Sequence, residues 1–125
     1  MAAVPLPTSL YSDTAHPAPL TPSLDGDRSV SVVIVGGGFA GLSAALHLAE
    51  MGVDVCVLEA NEPGWGASGR NGGQVNPGLK FNPDELVDRF GADLGQRMVG
   101  MAWGAPDFTF DLIGRLGIDC DARQN

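Results

Sequence analysis

Val32-Val33-Ile34-Val35-Gly36-Gly37-Gly38-Phe39-Ala40-Gly41, then a helix-like stretch, then Val55-Cys56-Val57-Leu58-Glu59, is the part of this sequence that decides its fold. A glycine-rich G-x-G-x-x-G run alone is common. Here it is flanked, in order, by a strand, a helix, a second strand and an acidic residue. Val30 to Val35 is an almost continuous β-branched run, as expected of a parallel strand buried on both faces. Gly36 lets the chain turn out of that strand, Gly38 leaves room for a pyrophosphate beside the backbone, and Gly41 lets the helix approach the strand. The helix predicted from about Phe39 to Met51 begins with free N–H groups, Ala40 among them, and a partial positive charge that favours phosphate. Leu42, Ala45, Leu46 and Ala49 recur at helical spacing and are expected to cover the sheet, with Gly52 as the stop. Val53 to Leu58 reads as the second strand. Glu59 ends it with a carboxylate able to accept both hydroxyls of an adenosine ribose and to repel a 2′-phosphate, which disfavours NADP.

Outward from this unit, composition sets limits. The chain has 125 residues, an ordinary length for one domain, yet only two strands are well signalled, so the parallel sheet is expected to be incomplete. A net charge of −8 argues against a nucleic-acid surface. No run approaches the length of a transmembrane helix, and the start lacks the basic and apolar regions of a secretory signal. Cys56 and Cys120 form no C-x-x-C pair and no metal-ligand cluster accompanies them, so a reducing cytoplasm is the expected location and no metal is expected. Cys56 reads as a small packing residue, and His16 and His47 as isolated.

Residues 1–29 hold Pro5, Pro7, Pro17, Pro19 and Pro22 and read as an extended arm, with Leu10 and Tyr11 as candidate anchors. After Glu59, residues 62–78 are too rich in glycine for helix or strand. Loops this long in compact domains are functional or disordered. Asn82-Pro83-Asp84-Glu85 is a helix start, with Leu86, Val87 and Phe90 on one face and Gly91 as a break. A further helical stretch, from about Leu94 to Leu116, carries Met98, Met101, Ala102, Ala105, Phe108, Leu112 and Leu116 at near-helical spacing. Pro106 is expected to kink or split it. Ile118-Asp119-Cys120-Asp121 is read as the possible opening of another strand. Asp84, Glu85 and Asp107 read as caps and solvated faces, and no catalytic residue is identified.

Three stretches carry a resemblance: residues 36–48, Gly64-Trp65-Gly66-Ala67-Ser68-Gly69-Arg70-Asn71-Gly72-Gly73-Gln74, and Gly117-Ile118-Asp119-Cys120-Asp121. Together they resemble FAD-dependent oxidoreductases of the D-amino-acid oxidase and glycine oxidase superfamily, nearest to gamma-glutamylputrescine oxidase-like members. The resemblance implies a Rossmann-type βαβ FAD-binding unit in an α/β fold, followed by a glycine-rich loop and helices. It implies that the turn and helix start (Gly36, Gly38, Phe39, Ala40, Gly41) hold the FAD pyrophosphate and that Glu59 binds the ribose. Ala67, Ser68, Arg70, Asn71, Gly72 and Gly73 would then pass by the phosphates, ribityl chain and flavin ring. Ser68 and Asn71 have groups that hydrogen-bond, and Arg70 is the cation of the loop.

Family members run to several hundred residues. By that comparison residues 30–125 read as the N-terminal part of an FAD-binding domain, with the substrate domain absent. The implied activity is oxidation of the C–N bond of a small-molecule amine or amino acid by hydride transfer to flavin, followed by imine hydrolysis. The short chain alone is expected to be inactive, to bind FAD weakly and to aggregate through its strand edges. The alternatives are an NAD-linked dehydrogenase, permitted by the first signature, and a non-catalytic nucleotide-binding truncated product.

Overall fold

A computed structural model describes Val4 and residues 7–124; Pro5 of the arm lies outside the described residues. The chain forms two compact units, residues 1–72 and 73–125.

The first unit begins with a short helix, α1 (Leu10–Thr14), capped by Ser9, whose hydroxyl accepts the Ser12 N–H at 3.1 Å. Leu10 is 71% exposed and does not anchor the arm as expected. Instead the Val4 N–H donates to the side-chain oxygen of Asn61 at 3.2 Å. The βαβ unit follows: β1 (Val32–Val35), α2 (Phe39–Glu50) and β2 (Val55–Leu58). The strands pair in parallel, with Val32 opposite Val55 and Val35 opposite Leu58. The strands are shorter than the apolar runs that predict them, starting at Val32 and Val55 instead of Val30 and Val53.

α2 packs on both strands, with Ala45, Leu46 and Leu48 half-buried while Leu42 and Ala49 stay exposed. Its end is firmly closed. The Gly52 N–H donates to Ala49 and the Val53 N–H to Leu48, the paired bonds that satisfy the last helical carbonyls. The expectation of a strand buried on both faces is not met. Val33 is 54% and Val35 85% exposed, because helix covers only the face that carries Val32 and Ile34. A β-branched run predicts a strand, but the covering of its second face depends on residues elsewhere.

The second unit is a pair of helices. Asn82 and Glu85 form a reciprocal cap on α3 (Pro83–Phe90): the Glu85 N–H donates to Asn82 and the Asn82 N–H to Glu85. Gly91 makes the corner, and α4 (Ala92–Leu116) runs 25 residues without a break. Of the two outcomes expected at Pro106, a kink or a split, the split does not occur. The carbonyl that Pro106 deprives of a helical donor, that of Ala102, accepts the Gly78 N–H at 3.1 Å, so no polar group is stranded by the proline.

The face of α4 that is covered also differs from the predicted stripe. Of the predicted stripe Met98, Ala102 and Leu112 are half-buried, as are Pro106, Phe110 and Ile113 outside it, whereas Met101 is 75% exposed and Ala105, Phe108 and Leu116 are exposed. Apolar residues lie on more than one side of this helix, so periodicity alone does not select the side that packs. Residues 118–121 form no strand. No helix of the described residues is long and apolar enough to cross a membrane.

Leu86, on α3, is the fully buried large side chain of the described residues, and it sits where α3 and α4 come closest. Gly95 of α4 is buried there too. A Cβ at Gly95 would lie 2.5 Å from Val87 Cα and 2.8 Å from the Leu86 carbonyl oxygen, both main-chain atoms that cannot swing aside. Gly95→Ala should therefore force the helices apart and destabilise the protein by about 1–3 kcal/mol. An unchanged urea unfolding midpoint in that variant would show that the close crossing carries no energy.

Candidate functional site

The glycine turn between β1 and α2 is built around Gly37. Gly36, at φ +107°, turns the chain out of β1 while its N–H still donates to Leu58 of β2. Gly37 is buried, and both of its main-chain groups are used. Its N–H donates to a Glu59 carboxylate oxygen at 2.6 Å, and its carbonyl accepts the Gly64 N–H at 2.8 Å. The second Glu59 oxygen accepts the Asn61 N–H at 3.0 Å. The Gly37 hydrogen bond first, and then that of Asn61, hold the Glu59 carboxyl below its ordinary value of 4.5, against a smaller opposing effect of burial. Each oxygen keeps acceptor capacity, so the pair can still take ribose hydroxyls.

At the head of α2 the cap position is Gly38, which has no side chain to offer. Ser68 supplies one from the second loop: its Oγ accepts the Phe39 N–H at 2.9 Å. A Cβ at Gly38 would stand 2.9 Å from that Oγ, so the space opened by this glycine faces the Ser68 hydroxyl. Among the described residues the next two N–H groups, of Ala40 and Gly41, have no hydrogen-bond acceptor. They are the free donors of the helix start. Gly41 is required for the approach of helix to turn, since a Cβ there would lie 2.0 Å from the Gly36 carbonyl oxygen and 3.3 Å from Ile34.

The second loop folds into a 3-10 turn at Ala67–Gly69. Arg70 stacks its guanidinium over Trp65, 4.7 Å from the ring centre, and its Nε–H donates to the Gly66 carbonyl at 3.1 Å. Asn71 donates its amide to the Ser68 carbonyl at 2.7 Å. Both side chains thus shape their own turn. Gly36, Gly38, Phe39, Ala40, Gly41, Glu59 and Ser68 are brought together in one cluster, with Ala67 beside Ser68. Gly72 and Gly73 lie further along in irregular chain, Gly73 in the second unit. Asp84 and Glu85 serve the start of α3, and Asp107 accepts the Gln124 side-chain amide.

Sequence reasoning missed Gly37 as the hub, and Gly64 and Gly69 as its supports. A Cβ at Gly69 would lie 2.4 Å from the Gly64 carbonyl oxygen. The one available signal was the density of glycines on both sides of Trp65.

The free donors at the α2 start, the close approach at Gly41 and the ionised Glu59 fit a nucleotide cofactor with a pyrophosphate and an unmodified ribose. Comparison with known proteins agrees with this fit. A family profile described as FAD dependent oxidoreductase (DAO) matches residues 31–125. The chain is 40% identical over 116 residues to gamma-glutamylputrescine oxidoreductase of Escherichia coli, covering 93% of this chain and 27% of that protein. It is 38% identical over 113 residues to the probable oxidoreductase OrdL of Rhizobium meliloti, covering 90% of this chain and 26% of the other. Polyamine oxidase 2 of Arabidopsis thaliana is 36% identical over 92 residues, covering 73% and 16%. The chain thus spans about a quarter of the length of the first two relatives. No solved structure gives a significant match.

Two measurements probe this geometry. Because the folded carboxyl of Glu59 is depressed, its stabilising contribution is complete above the ordinary carboxylate range. It is lost as pH falls through the lower, folded value. The Gly37 amide proton should therefore titrate by NMR with a midpoint below 4.5, and a midpoint at or above that value would refute the clamp. Ser68→Ala removes the acceptor for Phe39 and should cost about 1 kcal/mol in denaturant unfolding, with Ser68→Thr restoring most of it. Equal stability of all three proteins would mean that the cap is not formed.

Proposed function

The chain belongs to the DAO family of FAD-dependent oxidoreductases, and from that premise we propose that it binds FAD within an enzyme oxidising the C–N bond of a small-molecule amine or amino acid. The observation that carries the cofactor reading is the paired arrangement at the glycine turn. Free N–H groups of Ala40 and Gly41 open α2, while at the end of β2 the Glu59 carboxylate is held ionised by the Gly37 and Asn61 N–H groups. The amine substrate is supported by the names of two relatives, a gamma-glutamylputrescine oxidoreductase and a polyamine oxidase. Residues 30–125 are proposed to form part of the FAD-binding domain, preceded by the arm of residues 1–29.

Bound FAD supplies the acceptor for a hydride leaving the carbon that bears the amine, after which the imine product is hydrolysed by water. The residues of this chain bind and orient. Gly36, Gly38 and Phe39 bring the head of α2 to the pyrophosphate, and the Ala40 and Gly41 N–H groups donate to its oxygens. Glu59 accepts the ribose hydroxyls and, being charged, repels a 2′-phosphate. Ser68 fixes the second loop against the first. Ala67, Arg70, Asn71, Gly72 and Gly73 line the path of the ribityl chain and flavin, with Arg70 as the cation available to the pyrophosphate or a reduced ring. Two unpaired cysteines, Cys56 and Cys120, accord with a cytoplasmic location.

The full-length protein should show flavin absorbance bands that bleach when amines are added without oxygen. Glu59→Ala should weaken FAD binding by roughly tenfold or more, because the ribose loses charge-assisted hydrogen bonds. Absence of flavin after reconstitution would sink the reading and favour NAD or a non-catalytic module.

A further inference from the structure

The two oxygens of the Glu59 carboxylate are held in unlike ways. One accepts the N–H of Gly37, which is buried in the turn between the paired strands. The other accepts the N–H of Asn61, which lies beyond the end of β2 and outside any helix or strand. The last torsion of a glutamate side chain is broad, so a single hydrogen bond leaves the plane of the carboxylate free to turn. The second bond sets that plane, and only as firmly as the Asn61 peptide is itself held. Asn61 is half-buried, and its side-chain oxygen accepts the Val4 N–H at 3.2 Å, across 57 positions of sequence. The Val4 side chain is 54% exposed, so the arm makes this contact through its main chain and not through apolar burial. Val4, Gly37, Glu59 and Asn61 all belong to the first unit.

We propose that Asn61 is a positioning residue for Glu59 and that the amino-terminal arm is the strap that holds it. The Asn61 side chain is tied to Val4 while its main chain orients the acid. The arm thereby takes part in recognising the ribose, a role that rests on the proposed function. A ribose diol presents two hydroxyls at a set separation, so it is bound best by a carboxylate whose plane is fixed before the ligand arrives. Ordering the arm across so long a loop costs entropy when the protein folds. The carboxylate then has less freedom to lose when the ligand binds.

Two substitutions each remove one side of the strap. Val4→Pro deletes the donor, and Asn61→Ala deletes the acceptor while keeping the N–H that faces Glu59. In the flavin-free full-length protein, hydrogen exchange at the Asn61 amide should speed up about three- to tenfold in both variants. The pH midpoint read at the Gly37 amide should rise towards 4.5, because the charged form of Glu59 loses part of its second donor. FAD affinity, read by flavin fluorescence titration, should fall about two- to fivefold in each variant, and the double variant should be no weaker than either. A residue that merely supported the fold would lower the thermal midpoint and leave the Gly37 titration where it was. Unchanged exchange at Asn61 overturns the strap, and losses that add in the double variant overturn the link between Val4 and Asn61. Faster exchange with unchanged FAD affinity overturns the positioning role. A wild-type protein that takes up no flavin overturns the proposed function and the ribose role with it. That failure is told apart from the others, because exchange and titration are both read without flavin and still decide whether the strap exists.

Discussion

The hydrogen bond from the Gly37 N–H to Glu59 is the constraint on which the rest of the first unit depends. It joins the end of β1 to the end of β2 beyond the last paired residues, and Gly37 is buried, so an unmet N–H there would cost the full desolvation of the group. The Gly37 carbonyl is taken by Gly64 in turn, which draws the second loop onto the first. One residue without a side chain thereby fixes the two strand ends, the acid and the loop. The charge on Glu59 is kept by the same bond that keeps the turn, so geometry and electrostatics at this position stand or fall together.

The second unit obeys the same economy in a different setting. α3 and α4 are held by a close crossing at Gly95, with Leu86 beneath it, and the two reciprocally capped residues Asn82 and Glu85 begin the pair. In both units a helix leaves a main-chain group without a partner, at Phe39 or at Ala102, and a loop from elsewhere in the chain meets it. Side-chain burial contributes comparatively little here, with Leu86 the lone large side chain fully enclosed among the described residues. Main-chain satisfaction therefore does much of the positioning.

Much of this was legible in the sequence where the cause is local. The β-branched run before Gly36, the glycine spacing to Gly41, the acid at Glu59 and the Asn82-Pro83 start each dictate a conformation within a few residues, and the structure has them. The family was legible as well, because the loop around Trp65 is a specific string of residues. What escaped reading depends on partners far along the chain. Pro106 reads as a helix breaker to any local rule, and the Gly78 N–H that compensates for it comes from the loop before α3. Val33 and Val35 satisfy the pattern of a buried strand, yet nothing in their own segment supplies a layer for their face. Ser68 as a helix cap is invisible from its neighbours, since the helix it caps begins 29 positions earlier.

That separation has a consequence for how the chain assembles. β1, α2 and β2 are neighbours in sequence, and α2 can close its own C-terminal end through Gly52 and Val53 with contacts only a few residues apart. Its first turn has no such local option, because its cap is carried on a loop made later in the chain. During synthesis the strand, the glycine turn and most of the helix emerge before Ser68 does, so the head of α2 must wait for residues 62–69 to arrive and seat on Gly37. The head of α2 thus completes its hydrogen bonding only once β2 and the loop that follows it are present.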